Sequence, residues 1–200
     1  QFGLPFTDYP YAIGSVFIID PLYTLPLLVG VIAALILRNR RGLRWNHGGL
    51  LLSCVYLLWS VFAQQQATDA ARQAIARNYI NSERVLVTPT SLNTLVWRVV
   101  VMTPGTYGEG FYSLLAPDQP LTFTFYPRGE ALYAAHRDNP YVARMAWFTH
   151  GFFRMQEQNG HLWLSDLRMG EEPYYTFTFD LGPLNAPNGE VLPTRINSVR

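Results

Sequence analysis

The chain has 200 residues, of which 49% are hydrophobic and 14% are charged, and its formal net charge is +1. A net charge so close to zero gives no electrostatic reason to expect nucleic-acid binding, and no P-loop or dinucleotide fingerprint indicates a nucleotide cofactor. The single cysteine, Cys54, excludes an intrachain disulfide and a cysteine-based metal site.

Residues 1–63 are strongly apolar, and most of the charge follows them. This division predicts an N-terminal transmembrane region with two spans. The first, residues 13–37, contains Pro21 and Pro26, and each proline removes a backbone donor, which would kink or split the helix. The second, residues 49–63, is short, because a crossing helix needs about 20 apolar residues. A large soluble core is the alternative interpretation of these two runs.

Four arginines and no acidic residue lie between the two apolar runs, namely Arg38, Arg40, Arg41 and Arg44. By the positive-inside rule this loop is cytoplasmic, so both ends of the chain lie on the other side of the membrane. A patch for phospholipid or nucleic acid is the alternative. We therefore expect a multi-pass protein of a bacterial inner membrane with a periplasmic soluble domain. Because the chain starts without methionine, we expect it to be the C-terminal part of a longer protein.

Residues 64–82 have alanines at helical spacing and predict an amphipathic connecting helix. The period then changes to two, which predicts a β-rich domain over residues 83–181. The expected strands are residues 84–88, 94–102, 110–115, 121–126, 151–157, 161–167 and 174–180. A type I′ turn at Asn159-Gly160 joins two of them in a hairpin. Short helices are expected near residues 130–137 and 140–148, and residues 182–200, rich in Pro, Asn and Gly, predict an irregular tail. The fold class is thus α+β: membrane helices followed by a mostly antiparallel sheet with one or two short helices.

Asp20 is the only ionisable side chain from residue 13 to residue 37. An acid inside a membrane span is costly, so it is by default a functional candidate that needs a partner. Its carboxylate could ligate a divalent metal ion. Alternatively, Asp20 followed by Pro21 is a common helix start, in which aspartate is the N-cap and proline the first helical residue. The four histidines are scattered, without the spacing of metal ligands.

Arg98 lies on an otherwise apolar strand, and Asp166 and Arg168 lie two residues apart on one strand face. An arginine–aspartate pair across the sheet would satisfy both charges. The alternative is that Arg98 or Arg168 binds a phosphate or a lipid headgroup, with Asp166 in the same site. A further set of aromatic residues is expected in the core: Tyr112, Phe123, Phe125, Trp147, Phe152, Phe153, Trp163 and Phe177.

Several motifs together resemble the YdjM-like family of bacterial inner-membrane proteins, which are described as membrane-bound metal-dependent hydrolases. They are FIIDPLYTLPLL (17–28), NTLVWRVV (93–100), GFYSLL (110–115), WFTHGFF (147–153) and SDLRMG (165–170). The resemblance extends from residue 1 to about residue 180. It implies a membrane helical region followed by a soluble β-rich domain.

The resemblance also implies a function. Family members carry most of their presumed metal ligands in a region that precedes the start seen here, and Asp20 is the one position of that polar centre that this chain matches. The expected cofactor is a divalent metal ion such as Zn²⁺, held mainly by upstream residues. The expected partners are the lipid bilayer and that upstream part of the same protein. The first hypothesis is a hydrolase of a phosphoester or lipid-linked substrate, in which the metal activates water.

Two other functions are compatible with the sequence. A non-catalytic, membrane-anchored β domain could bind an envelope protein or a lipid. Asp20 could instead belong to a transport or proton path, which two spans cannot build without further helices or an oligomer.

Overall fold

Two antiparallel helices, α1 (Pro21–Leu37) and α2 (Arg40–Arg77), form the first part of the fold. The computed structural model describes residues 14–17, 19–187 and 189–196. The predicted first span begins at residue 13, which lies outside these residues. Pro21 is the first residue of α1, and the Asp20 side chain caps it by accepting hydrogen bonds from the backbone N–H groups of Leu22 and Tyr23. The helix-start interpretation of Asp20-Pro21 is therefore confirmed.

The first apolar run is not split into two helices at Pro26. Helix α1 begins at Pro21 and continues through Pro26 without ending. Within the described residues, α2 alone has the length and hydropathy of a membrane span, whereas α1, with 17 residues, is a shorter apolar helix. The two predicted spans therefore stay a proposal.

Helix α2 is continuous over 38 residues and includes both the predicted second span and most of the predicted connecting helix. Its buried positions are all small residues: Gly42, Gly49, Ser53, Ser60, Ala63, Ala67, Ala71 and Ala74. Small residues let a second helix or a sheet approach the backbone closely. At Gly49 the approach is closest, since a Cβ atom there would lie 2.2 Å from the Pro26 carbonyl oxygen.

Two four-stranded antiparallel sheets follow the helices. The first has the order β1-β2-β3-β4, with β1 Arg84–Pro89, β2 Val96–Met102, β3 Thr106–Ser113 and β4 Thr124–Pro127. Helices α3 (Glu130–His136) and α4 (Pro140–Phe148) come next. The second sheet has the order β10-β9-β6-β5, with β5 Phe153–Gln158, β6 His161–Asp166, β9 Thr178–Pro183 and β10 Thr194–Ile196. A small ribbon pairs β7 (Gly170–Glu171) with β8 (Tyr174–Tyr175). The described residues thus have an α+β fold, as predicted.

The first sheet has a core on each of its faces. One face of β2, with Trp97, Val99 and Val101, packs on the alanines of α2. The opposite face packs against residues that flank the second sheet, and that cluster consists of Val100, Met102, Tyr107, Phe152, Leu167 and Tyr175. A third cluster joins α4 to the second sheet and includes Val142, Phe153 and Leu164.

The predicted hairpin is confirmed, whereas the predictions for the C-terminal tail and for two aromatic residues are wrong. The hairpin turns at Asn159-Gly160, where both residues have positive φ (54° and 77°), as a type I′ turn requires. The tail predicted as irregular contributes a strand, since Thr194–Ile196 pairs with β9. Phe125 and Trp147, predicted in the core, are 45% and 52% exposed. Phe125 is on β4, the edge strand of its sheet, and Trp147 is in the last turn of α4, whose buried residue is Val142.

Candidate ligand-binding cleft

A cleft of about 1580 Å³ lies between α2, β1 and the second sheet. Gln64, Thr68 and Arg72 line it from α2, and all of β1 except its first residue lines it from the first sheet. Gly14, Val16 and Phe17, just ahead of α1, also line it, and in the same segment Ser15 accepts a hydrogen bond from the Ser60 hydroxyl at 3.3 Å. Because apolar side chains from β1, α4 and β9 form much of its wall, this is a space suited to an elongated apolar group.

The three residues predicted to bind substrate, Arg98, Asp166 and Arg168, all line this cleft. Asp166 and Arg168 form an ion pair at 2.7 Å, and Arg168 also donates to the Phe148 carbonyl at 2.9 Å. The predicted arginine–aspartate pair therefore exists, but it joins neighbouring residues rather than two strands. Its charges compensate each other at the cleft wall.

Arg98 has a different partner from the one predicted. Its Nε donates to the carboxylate of Glu109 on the adjacent strand β3, and its Nη1 donates to the Leu167 carbonyl at 2.8 Å. The other oxygen of Glu109 accepts from the backbone N–H of Glu172 at 3.1 Å. Nη2 of Arg98 is buried and has no hydrogen-bond acceptor within the described part of the chain. An unsatisfied buried donor costs about 1–3 kcal/mol, so an acceptor supplied from outside would be stabilising.

A network of tyrosines and charges lies behind Arg98, between the sheets. The Tyr107 hydroxyl donates to Glu172 at 2.5 Å, and Arg154 pairs with the same carboxylate at 2.7 Å. Burial raises the pKa of Tyr107 far above its usual value, and the hydrogen bond to Glu172 raises it further. Burial likewise raises the pKa of Tyr175. Both hydroxyls therefore stay neutral: the Tyr175 hydroxyl donates to that of Tyr107 at 3.3 Å, and the Tyr107 hydroxyl holds the carboxylate of Glu172.

Asp20 joins three elements at the end of the cleft nearest α1. It is buried, and its Oδ1 accepts from the backbone N–H of Leu22 at 2.9 Å and of Tyr23 at 3.4 Å. Its Oδ2 accepts from the Tyr56 hydroxyl of α2 at 2.6 Å. That hydroxyl lies 3.3 Å from the hydroxyl of Thr94, which precedes β2.

Trp59 supports the same junction, because its Nε1 donates to the Thr94 hydroxyl at 3.2 Å. Sequence reasoning missed Tyr56 and Thr94 as partners of Asp20. No local signal identifies them, since each contact joins residues that are more than thirty positions apart.

Within residues 14–17, 19–187 and 189–196, no group of three or more His, Cys, Asp or Glu side chains lies close enough to hold a metal ion. Both oxygens of Asp20 accept hydrogen bonds from the protein. One carboxylate does not make a metal centre, so the predicted metal site remains a prediction that depends on ligands beyond this set.

The chain matches no known protein family, no curated protein and no solved structure. The YdjM-like assignment therefore stays a prediction based on the motifs quoted above. Four of those five motifs, all but GFYSLL, contribute residues to one region of the molecule. Phe17, Arg98, Phe148, Asp166 and Arg168 line the cleft, while Asp20 and Thr94 take part in the junction with Tyr56.

Proposed function

We propose that this protein is anchored in a membrane by α1 and α2 and binds an amphiphilic ligand in the cleft. The observation that carries the proposal is Arg98, a buried arginine that lines a largely apolar cleft and has one donor without an acceptor. An amphiphile matches both properties. Its chain would fill the apolar part, and a head-group oxygen that displaced the groups covering the buried Nη2 would accept from it. Phosphate and carboxylate are the groups that pair best with a guanidinium.

The anchoring part of the proposal rests on the surface of the two helices. Large apolar side chains are exposed along both helices, from Ile19 at the start of α1 to Phe62 in α2, including Leu35, Ile36 and Leu58. A contiguous apolar surface of this size marks a contact with lipid or with another protein. The arginine-rich connection at residues 38–44 would face the cytoplasm of a bacterial inner membrane, with the sheets in the periplasm.

The unsatisfied donor of Arg98, rather than net charge, favours an acceptor-rich head group. The lining holds three cations, Arg72, Arg98 and Arg168, and two acids, Asp166 and Glu171, and each cation has a carboxylate partner. The charge of Arg98 is balanced by Glu109, yet its free donor would still be satisfied by a ligand oxygen. The head group would therefore lie at Arg98, with the chain along Leu86, Phe177 and Phe179.

Lipid that co-purifies with the protein in mild detergent would test this. The variant Arg98→Lys keeps a positive charge beside Glu109 and removes the Nη2 donor. We expect it to carry less bound lipid than the wild type, as measured by mass spectrometry of extracted lipid and by rebinding of phosphatidylglycerol. Arg72→Lys, at an exposed position of the same cleft, is the matched control and should bind as the wild type does. A wild-type protein without bound or rebinding lipid would contradict the proposal, as would equal binding by both variants.

A metal-dependent hydrolase is the second candidate, supported by the meeting of the FIIDP and SDLRMG motifs at one region. In that case Asp20 would be a ligand of the divalent ion together with upstream residues, and the cleft would hold a phosphoester or lipid-linked substrate. Asp20→Asn keeps an oxygen able to cap α1 but weakens metal ligation. Metal content and phosphoester hydrolysis should both fall in this variant of the protein that includes the upstream region. If both stay unchanged, Asp20 has no part in the mechanism.

A further inference from the structure

The loop between β1 and β2, residues 90–95, ends beside the apolar surface of α2. Thr94 accepts a hydrogen bond from Trp59 and lies in hydrogen-bond distance of Tyr56, which places the loop at the level of Asp20 and the start of α1. On α2 the same level carries Leu58 and Phe62, which are exposed. The first sheet therefore ends next to the last exposed apolar turns of the helix.

A second turn lies next to this loop. Val96 pairs with Ser113 in the β2–β3 ladder, and the Leu114 N–H donates to the Leu95 carbonyl at 2.9 Å. The turn at residues 113–116 thus stands beside residues 90–95 at one end of the sheet. Together the two turns present Leu92, Leu95 and Leu115, which are 53%, 37% and 75% exposed. We call these three side chains the leucine edge.

The backbone at Leu92 is locally strained. Its φ is +65°, a left-handed conformation that costs a leucine about 1–2 kcal/mol and is normally given to glycine or asparagine. The side chain of Asn93 holds the turn by accepting from the backbone N–H groups of Leu95 and Val96. Because the exposed Leu92 side chain gains little burial inside the molecule, the strain is not offset by packing.

We propose that the leucine edge inserts into the boundary between lipid head groups and acyl chains. The proposal rests on membrane anchoring by α1 and α2, and continuity with their apolar surface identifies the bilayer as the occupant. Apolar side chains at such a boundary lie roughly 5–10 Å below the head groups. The edge would hold the sheets against the membrane at a second point.

This placement has a consequence for the cleft. Thr90 and Ser91, which directly precede Leu92, line the cleft, as do Val16 and Phe17 ahead of α1. The end of the cleft between these two segments would then open at the membrane surface. A lipid could enter from the bilayer without crossing water.

Site-specific labelling in vesicles tests the proposal. The native Cys54, exposed on α2, is labelled with a fluorophore that is quenched by brominated acyl chains. In a Cys54→Ser background, Leu92→Cys and Leu115→Cys report on the edge, and Leu192→Cys, which replaces a side chain that is 74% exposed, is the control on the second-sheet side. The vesicles contain phosphatidylcholine and phosphatidylglycerol with bromine near the head group or deep in the chain.

We expect loss of fluorescence at positions 92 and 115 with the shallow bromine, at position 54 with either bromine, and none at position 192. Quenching at position 54 but not at 92 or 115 would overturn the leucine edge and leave the membrane anchor intact. No quenching at position 54 would overturn both. Protection of positions 92 and 115 from aqueous iodide without quenching by bromine would show that a protein covers the edge, and would also refute insertion.

Discussion

Three glycines of α2 predict how tightly the two N-terminal helices pack. A Cβ atom added at Gly49 would lie 2.2 Å from the Pro26 carbonyl oxygen of α1, and one added at Gly42 would lie 2.9 Å from the Ala33 carbonyl oxygen. At Gly48, the neighbour of Gly49, an added Cβ would meet nothing within 4 Å. Substitution by alanine therefore separates packing from helix propensity at adjacent positions of one helix.

The magnitudes follow from this geometry. Alanine in place of a helical glycine stabilises by about 0.5–1 kcal/mol, because it loses less conformational freedom on folding. This gain is common to all three variants and cancels when they are compared. At Gly49 the helices would have to separate by about 1 Å, which is an overpacking of about 1–3 kcal/mol. We expect Gly48→Ala to stabilise the protein, Gly49→Ala to destabilise it, and Gly42→Ala to fall between them.

The free energy of unfolding can be measured in mild detergent with a rising fraction of SDS, followed by far-ultraviolet circular dichroism. Gly48→Ala is the internal control, since any effect of detergent on helix content acts on both neighbours. A Gly49→Ala variant as stable as Gly48→Ala would refute the packing of α1 on α2 at this point. The reverse order would place the contact on the other face of α2.

Three further predictions concern the sheets, and the first two use the same measurement. Glu109→Gln should destabilise by about 3–5 kcal/mol, because Arg98 is then a buried charge without a counter-charge; a loss below 1 kcal/mol would mean that water reaches the pair. Gly129→Ala should destabilise the protein far more than Gly160→Ala. Both glycines have positive φ, but only at Gly129 would an added Cβ lie 1.9 Å from a carbonyl oxygen of β5. Equal losses of unfolding free energy in the two variants would contradict this. Since the folded pKa of Tyr107 is raised above the unfolded value of 10.0, its contribution to stability is complete below pH 10 and should fall as the pH rises above it. Tyr107→Phe should weaken this alkaline loss in urea unfolding curves recorded at increasing pH, and an unchanged pH dependence would argue against it.

Local features of the fold could be predicted because their causes are local. Asp20-Pro21 starts a helix and Asn159-Gly160 turns a hairpin whatever surrounds them, since the side chain and the backbone angles of two adjacent residues suffice. The continuity of α2 could not be read from composition. Its polarity changes after Ala63, but the small residues that pack it continue to Ala74, first against α1 and then against the first sheet.

The sequence predicted which charged residues belong to the candidate site, but it did not predict the partner of Arg98. Arg98 on β2, Asp166 at the end of β6 and Arg168 in the turn after β6 stand out as charges beside apolar residues, and all three line one cleft. The partner of Arg98 depends on strand register: Arg98 lies opposite Phe111 in the ladder, and its partner Glu109 is the diagonal neighbour. A shift of one residue would move Glu109 to the other face of the sheet, and nothing in the sequence excludes that shift.

The unbroken course of α2 couples the rotation of its two ends. Each residue of a helix advances the direction of its side chain by about 100° and the axis by about 1.5 Å. Gly49 touches α1 and Ala67 touches the first sheet on the same rod, so one inserted residue between them would swing the alanines away from Trp97. A change of about seven residues, close to two full turns, would restore the relative direction of the two faces. The number of residues between Gly49 and Ala67 thus sets the angle at which the sheets meet the helices.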